Sequence, residues 1–155
     1  MKKITAVILI LVLLLPAVSF ADSLVKCRTL FNLHASVWNI NELPDEYAES
    51  KSGNVTYFIY KSNNTDIAFQ GSSKDNVSIG LVFYDNGDDM GEFIYNCLAM
   101  ADTMLSVSDS VNLAGMLVTN FAFCKKESTT EPYHVIYNRA ILQRVGDQIV
   151  FSCGE

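Results

Sequence analysis

Histidine is scarce in this sequence, and the motifs that usually surround a catalytic residue are missing. The 155 residues include two histidines, His34 and His134, and no GxSxG or comparable nucleophile motif. General-base and nucleophilic catalysis require a histidine, a poised carboxylate pair or an activated serine or cysteine. We therefore predict a protein that is not an enzyme and carries no cofactor.

Positive charge is the second shortage. The chain has 11 lysine and arginine residues against 17 aspartate and glutamate residues, and its formal net charge is −6. This balance repels phosphate backbones and anionic lipid surfaces. Nucleic-acid binding is therefore not expected, and a protein partner with a basic surface fits the charge better.

The first 21 residues differ in composition from the rest. They contain the basic start MKK, the apolar run ITAVILILVLLL, and Pro16 followed by small residues at Ser19 and Ala21, a pattern typical of a cleaved secretory signal. An uncleaved anchor is the competing interpretation, because a membrane span needs roughly 17 to 25 residues. We expect removal of residues 1–21, leaving one bacterial domain at 22–155, periplasmic or secreted and without a membrane anchor. Loss of the two leader lysines would leave 9 basic and 17 acidic residues, a net charge of −8.

Four cysteines follow the leader, and no CxxC pair occurs among them. Structural zinc sites usually take their ligands in close pairs, so no metal site is expected. An even number of cysteines in an exported chain predicts two disulfide bonds, with three possible pairings. We favour one bridge between the core faces of two helices and a second that ties down the tail. These bridges are Cys27 with Cys97 and Cys124 with Cys153.

The hydrophobic pattern predicts an α+β fold. Apolar residues recur every three or four positions from Ser23, a plausible N-cap, to Trp38, and again from about Met90 to Leu105, which indicates two amphipathic helices. Between them, three β-like segments with turn-forming connections predict an antiparallel β-meander. The segments are VTYFIY (55–60), DIAFQ (66–70) and VSIGLVFY (77–84), the last with Val77, Ile79, Leu81 and Phe83 on one side.

The C-terminal third is ambiguous. Residues 111–124 combine helical spacing with a strand-like composition, and the tail fits either a hairpin turning at Gly146 and Asp147 or a helix opening at Pro132. If these segments and residues 46–70 were all helical, the protein would be an all-α bundle. We prefer the meander packed against an N-terminal and a central helix.

The segment FYDNGDDMGEF, residues 83–93, concentrates four carboxylates and two glycines in eleven positions. An EF-hand loop counted from Asp85 fails at positions 3, 6 and 12, where it places Gly87, Met90 and Asn96. A looser calcium site is the alternative. We favour a turn that leads into a helix, with Asp88 as the N-cap and further acids at the positive helix end. The residues are Asp85, Asn86, Gly87, Asp88, Asp89 and Glu92.

Four aromatic residues of the β segments are candidate partner contacts. A meander cannot bury both of its faces behind one helix, so part of this set would form an exposed aromatic strip unless another segment covers it. The residues are Tyr57, Phe58, Tyr60 and Tyr84.

Small size, export and acidity together favour a non-catalytic binding protein, such as an inhibitor, an immunity protein or an accessory protein of the bacterial envelope. The distribution of the cysteines is similar in outline to the periplasmic immunity proteins that protect bacteria from their own type VI secretion toxins, although no motif matches residue by residue and those proteins are helical. The alternatives are a small hydrolase using carboxylates near residues 85–92 with His134, and a structural component of a surface assembly.

Overall fold

The computed structural model describes residues 22–61, 65–85, 87–106, 110–125, 134–137 and 139–154, with the backbone alone for 125 and 134–137. Across these ranges the chain forms three helices and a seven-stranded antiparallel sheet of strand order β1-β2-β3-β4-β7-β6-β5. The helices are α1 (Leu24–Trp38), α2 (Met90–Leu105) and α3 (Ser110–Lys125). The strands are β1 (Ala48–Ser52), β2 (Val55–Tyr60), β3 (Asp66–Ser73), β4 (Asn76–Tyr84), β5 (His134–Tyr137), β6 (Ala140–Val145) and β7 (Gln148–Gly154). The α+β prediction is confirmed, and the all-α alternative is wrong.

Helix α1 begins and ends with capping residues. The Ser23 side chain accepts a hydrogen bond from the Lys26 N–H at 3.3 Å, as predicted for an N-cap. The helix stops at Asn39, whose left-handed φ of 54° is the usual C-terminal geometry. The inner face of the helix is fully apolar and packs into the main core through Leu24, Cys27, Phe31 and Ala35.

Helix α2 packs on β4 and β7, and an aromatic cluster stabilises this packing. The Phe93 ring contacts the rings of Tyr84 and Phe121 at centroid distances of 5.3 and 5.6 Å. Close approach also requires Gly80 in β4, because a Cβ there would lie 2.1 Å from the Met100 Sδ. The central helix predicted from the sequence is therefore confirmed, together with its packing on the meander.

The ambiguous C-terminal third divides into a helix and a hairpin. Residues 111–124 fall inside α3, where Leu113, Leu117, Phe121 and Cys124 form the buried face. Strands β6 and β7 are joined at Gly146 and Asp147, and Gly146 has the positive φ of 62° that this turn requires. The hairpin interpretation of the tail is thus confirmed.

Strand β1 was not expected, because its sequence AESKS has no alternation of apolar and polar residues. It pairs with β2 at the edge of the sheet, with Ala48 opposite Ile59 and Ser52 opposite Val55. Its exposed polar and charged side chains are typical of an edge strand protected against further pairing.

Three of the four residues predicted to share one side of β4 do so, since Ile79, Leu81 and Phe83 belong to a second apolar cluster. The prediction is wrong for Val77, which belongs to the main core beneath the helices, on the opposite face of the sheet. Irregular pairing at Gly71 shifts the register between these positions. The second cluster is built from strand residues and has six buried members, Tyr57, Ile59, Ala68, Leu81, Phe83 and Val150.

Within the described ranges, no helix combines the length and the apolar character that crossing a membrane would require.

Candidate functional site

The acidic segment before α2 forms a turn whose carboxylates bond to its own backbone. Asp88 Oδ2 accepts a hydrogen bond from the Asp85 N–H at 2.6 Å, and Asp89 Oδ1 accepts one from the Glu92 N–H at 2.9 Å. The N-cap of α2 is therefore Asp89, and the prediction of Asp88 is wrong by one residue. Gly87 has the positive φ expected of the turn, at 116°, while the neighbouring Asn86 lies outside the described residues.

The acidity of Asp88 in this turn is perturbed. Burial raises the pKa of its carboxyl, and the nearby charges of Asp85, Asp66 and Glu92 raise that pKa further, against the opposing effect of the Asp85 N–H. Asp85 itself accepts a hydrogen bond from the side chain of Gln148 in β7, which ties the turn to the sheet. Among the described residues, no group of three or more His, Cys, Asp or Glu side chains is placed to hold a metal ion.

The structure does not support the two predicted disulfide bonds, because none of the four cysteines is paired with another. All four cysteine side chains belong to the main core, where the Cys124 Sγ lies 4.0 Å from the Leu142 carbonyl oxygen. Each thiol packs there as a small apolar side chain.

Burial also makes these thiols unreactive. It raises the pKa of Cys27 and of Cys124 to about 11, and raises the pKa of Cys97 and of Cys153 well above the ordinary thiol range. The thiolate is the form that attacks substrates and binds metals. The four cysteines therefore contribute to the packing of the core.

The four aromatic candidates for partner contact are all buried. Phe58, Tyr60 and Tyr84 face the helices and belong to the main core, whereas Tyr57 lies in the second apolar cluster. Of the two histidines, His34 is half-buried on α1, and His134 is in β5, where only the backbone is described. The structure thus brings none of these predicted residues together with the acidic turn, except for Tyr84, which precedes it along the chain.

A pocket of about 370 Å³ opens beside the first turns of α1. We name it the Arg28 pocket. Its walls come from α1, the loop after α1, strand β2 and the turn between β3 and β4. The principal lining residues are Leu24, Arg28, Asp45, Tyr47, Tyr60 and Lys74.

The Arg28 pocket is lined by charged residues and by two tyrosines. Arg28 pairs with Asp45, and Lys74 Nζ lies 3.5 Å from the Glu49 carboxylate. The Tyr47 and Tyr60 rings have centroids 5.6 Å apart, and the Lys74 ammonium lies 5.3 Å from the Tyr47 centroid. That spacing is within the range of a cation–π contact.

The pocket keeps its donors protonated. Burial raises the pKa of Tyr60 to about 12, and a hydrogen bond to Tyr47, with the Glu49 charge, raises the pKa of Lys74. The Arg28 side chain, which is 26% exposed, donates through Nη1 to the Pro44 carbonyl oxygen at 3.3 Å. Its Nε is buried and has no hydrogen-bond partner among the described residues. A buried donor in this condition carries a desolvation penalty that an added acceptor would remove.

The outer face of α1 continues from the pocket as an uncharged surface. Val25 lines the pocket and is 71% exposed, and Leu33 and Val37 follow on the same side at 61% and 71% exposure. Thr29, also exposed, fills the position between Val25 and Leu33, because residues four apart align on a helix. We name the four residues Val25, Thr29, Leu33 and Val37 the α1 outer stripe.

Sequence reasoning missed both the Arg28 pocket and the α1 outer stripe. The stripe had a signal, since Val25, Leu33 and Val37 repeat at multiples of four beside the core stripe of the same helix. The pocket had none, because its walls are contributed by segments up to 52 residues apart, from Ser23 to Asp75, whose proximity depends on the tertiary fold.

Comparisons of the chain with family models, with curated proteins and with solved structures found no match.

Proposed function

We propose that the protein is a small exported, non-catalytic binding protein of the bacterial envelope, and that the α1 outer stripe is its contact surface for a basic protein. This class includes inhibitors, immunity proteins and accessory proteins. The observation that carries the proposal is the exposure of three aliphatic side chains on a helix whose opposite face is already packed into the core.

The exposed stripe is what supports binding by α1. Val25, Leu33 and Val37 span 12 positions, which corresponds to about 18 Å of helix at 1.5 Å per residue. Contiguous apolar surface of this kind, when rimmed by polar residues, is typical of protein contact sites. Helix α3 also exposes Val111 and Val118, but its surroundings include segments outside the described residues.

Charge supports a basic partner. The loop that follows α1 carries the exposed acids Glu42 and Glu46, in addition to Asp45, which pairs with Arg28. The lysine and the arginine of α1 are both neutralised locally, since Lys26 pairs with Asp22 and Arg28 with Asp45. A basic surface would therefore be steered toward this side of the molecule, with an association rate that falls as salt rises.

The carboxylate hydrolase is the second function considered from the sequence, and a structural role in a surface assembly is the third. The hydrolase finds little support in the geometry. Asp88 and Asp89 are both engaged as acceptors of backbone N–H groups, and Asp85 accepts from Gln148. A general acid and base would need carboxylates directed at a common substrate position.

The test is capture of a partner from envelope extract, followed by affinity measurements on the isolated pair. The variant Leu33→Asn should weaken binding at least about tenfold, equivalent to about 1.4 kcal/mol, because it removes a central apolar contact. Val118→Asn on α3 is the matched control, with the same polar residue on another exposed helix face, and should leave the affinity unchanged.

Salt and charge variants complete the experiment. Replacement of Glu42 and Glu46 by glutamine should lower the association rate and flatten its salt dependence, whereas Asp147→Asn, in the distant β6–β7 turn, should not. Equal losses from Leu33→Asn and Val118→Asn would overturn the assignment to α1. Concentration-dependent pairing of the protein with itself, abolished by Leu33→Asn, would replace the basic partner by a second copy.

A further inference from the structure

We propose that the Arg28 pocket is a binding site for a monocarboxylate carried on an apolar or aromatic body. The pocket shares Val25 with the α1 outer stripe, but this inference does not depend on the contact with a basic protein. It is based on the unpaired donor of Arg28, on the exposure of its present partner, and on the lining of the pocket.

The unpaired donor determines the ligand chemistry. Arg28 lines a pocket that also contains the Lys74 ammonium and the Tyr60 phenol. Its Nε is buried without a hydrogen-bond partner among the described residues. These groups are all donors at neutral pH. An arginine side chain presents its donors in a planar fork that matches a carboxylate, so a ligand oxygen would satisfy Nε with a charge-assisted bond.

Asp45 is the present ionic partner of the Arg28 guanidinium. It pairs with Nη1 and leaves Nε unpaired, and its side chain is 89% exposed. Exposed ion pairs of this kind contribute little to stability, so Asp45 is an exchangeable partner. Asp45 therefore competes weakly with a ligand carboxylate for the positive charge of Arg28, without occupying the Nε position.

The size and the lining of the pocket determine which body, attached to the carboxylate, would fit. A volume of about 370 Å³ lies in the range of small-molecule sites. Leu24, Val25 and the Tyr47 ring provide the apolar contacts. Asp75 in the lining and Glu49, which pairs with Lys74, add negative charge, and this charge repels a phosphate dianion more strongly than a single carboxylate.

Two sources supply this chemistry: a free organic acid and the C-terminal carboxylate of a polypeptide. The experiment uses two probe pairs on the purified ¹⁵N-labelled protein. The first is phenylacetate with its neutral isostere phenylacetamide, and the second is a short peptide ending in phenylalanine with a free or an amidated C-terminus. Nuclear magnetic resonance follows the Arg28 Nε–Hε signal and the ring signals of Tyr47 and Tyr60.

We expect the carboxylate probes to shift these signals and their neutral counterparts to leave them in place. Preference for phenylacetate would identify a small-molecule site, and preference for the free peptide a site for chain termini. Equal shifts from phenylacetamide and phenylacetate, or stronger binding of inorganic phosphate, would overturn the proposal.

Two variants with opposite expected effects sharpen the test. Arg28→Lys keeps the charge but removes Nε, and should lower the affinity for the preferred probe at least about tenfold. Asp45→Asn removes the competing carboxylate, and should strengthen binding about two- to fivefold, while the distant Asp147→Asn leaves it unchanged. Weaker or unaltered binding by Asp45→Asn would contradict the role assigned to Asp45, even if Arg28→Lys failed to fold.

Discussion

The starts of helices α1 and α2 are similar in local structure, but they differ in the polar groups that remain unpaired and in the apolar residues that remain exposed. Both begin with a polar N-cap, Ser23 or Asp89, and both insert a fully buried phenylalanine into the main core. At α2, the carboxylates of the preceding turn are bonded to backbone N–H groups or to Gln148. At α1, a pocket, an unpaired Arg28 donor and an exposed apolar stripe remain.

This difference teaches that a dense group of acids in the sequence is a poor guide to a site. The segment FYDNGDDMGEF is conspicuous because turn formation and helix capping both favour acidic residues and asparagine. Binding capacity depends on groups that folding leaves unsatisfied, and those are recognised only when partners and burial are known.

The largest effect is expected for the alkylation rate of the buried thiols in α1 and α2, Cys27 and Cys97. Because Cys27 and Cys97 are buried and protonated, alkylation in the native protein should be at least about 10³-fold slower than after unfolding, when opening is required for access. Mass spectrometry after alkylation in denaturant without reductant should count four adducts. A count of zero would restore the two disulfides predicted from the sequence.

The next effect tests whether both helices are anchored equally. Phe31→Ala and Phe93→Ala should each lower the free energy of unfolding by about 3–5 kcal/mol, because each leaves a cavity in the main core. Denaturant titration measures the loss, and Leu33→Ala on the exposed side of α1 serves as the control, with a change within about 0.5 kcal/mol. Tolerance of Phe31→Ala would show that α1 is not fixed to the core, and the comparison of the two starts would fail.

A smaller effect is expected from the caps. Ser23→Ala and Asp89→Ala should each lower the free energy of unfolding by about 1 kcal/mol, since each removes an acceptor for a first-turn N–H group. Thermal melts with and without calcium distinguish a cap from a metal ligand. A rise in melting temperature with calcium, absent in Asp89→Ala, would make the acidic turn a metal site.

The smallest effect is the pH dependence due to Asp88. Its pKa is raised in the folded protein, so the stability it contributes is fully present below the ordinary aspartate value of about 3.9 and declines as pH rises through the raised pKa. Asp88→Asn should therefore gain stability relative to the parent protein between about pH 3 and pH 6. Denaturant titrations at several pH values measure this, and a relative loss over the same interval would contradict the burial of Asp88.

Sequence patterns predicted the parts of the fold that local physics determines. The periods of α1 and α2, the Ser23 cap and the turn at Gly146 could all be recognised, because spacing, capping and positive φ are local requirements. The polar edge strand β1 could not be recognised, because its sequence has no alternation of apolar and polar residues. Residues 111–124 form a helix because Phe121 packs in the core against Phe93 and against Tyr84, with a ring-centroid distance of 4.9 Å to Tyr84. Propensity alone does not resolve such a segment.

The candidate site was less predictable than the fold. The roles of Arg28, Tyr47 and Lys74 arise from the approach of three separate segments, and no residue type among them is unusual. The cysteine prediction was wrong for a related reason. Even number and export are correlations with disulfide formation, whereas bonding requires that two sulfur atoms meet with suitable geometry.

The most direct test of the central claim compares matched variants of the two helix starts in one binding assay. Leu33 on the α1 outer stripe and Met90 at the start of α2 are both exposed apolar residues, and both are changed to asparagine. Calorimetry with the captured basic partner should show at least about a tenfold loss of affinity for Leu33→Asn and none for Met90→Asn. The reverse order, with the loss confined to Met90→Asn, would place the functional surface at the acidic turn and contradict the account.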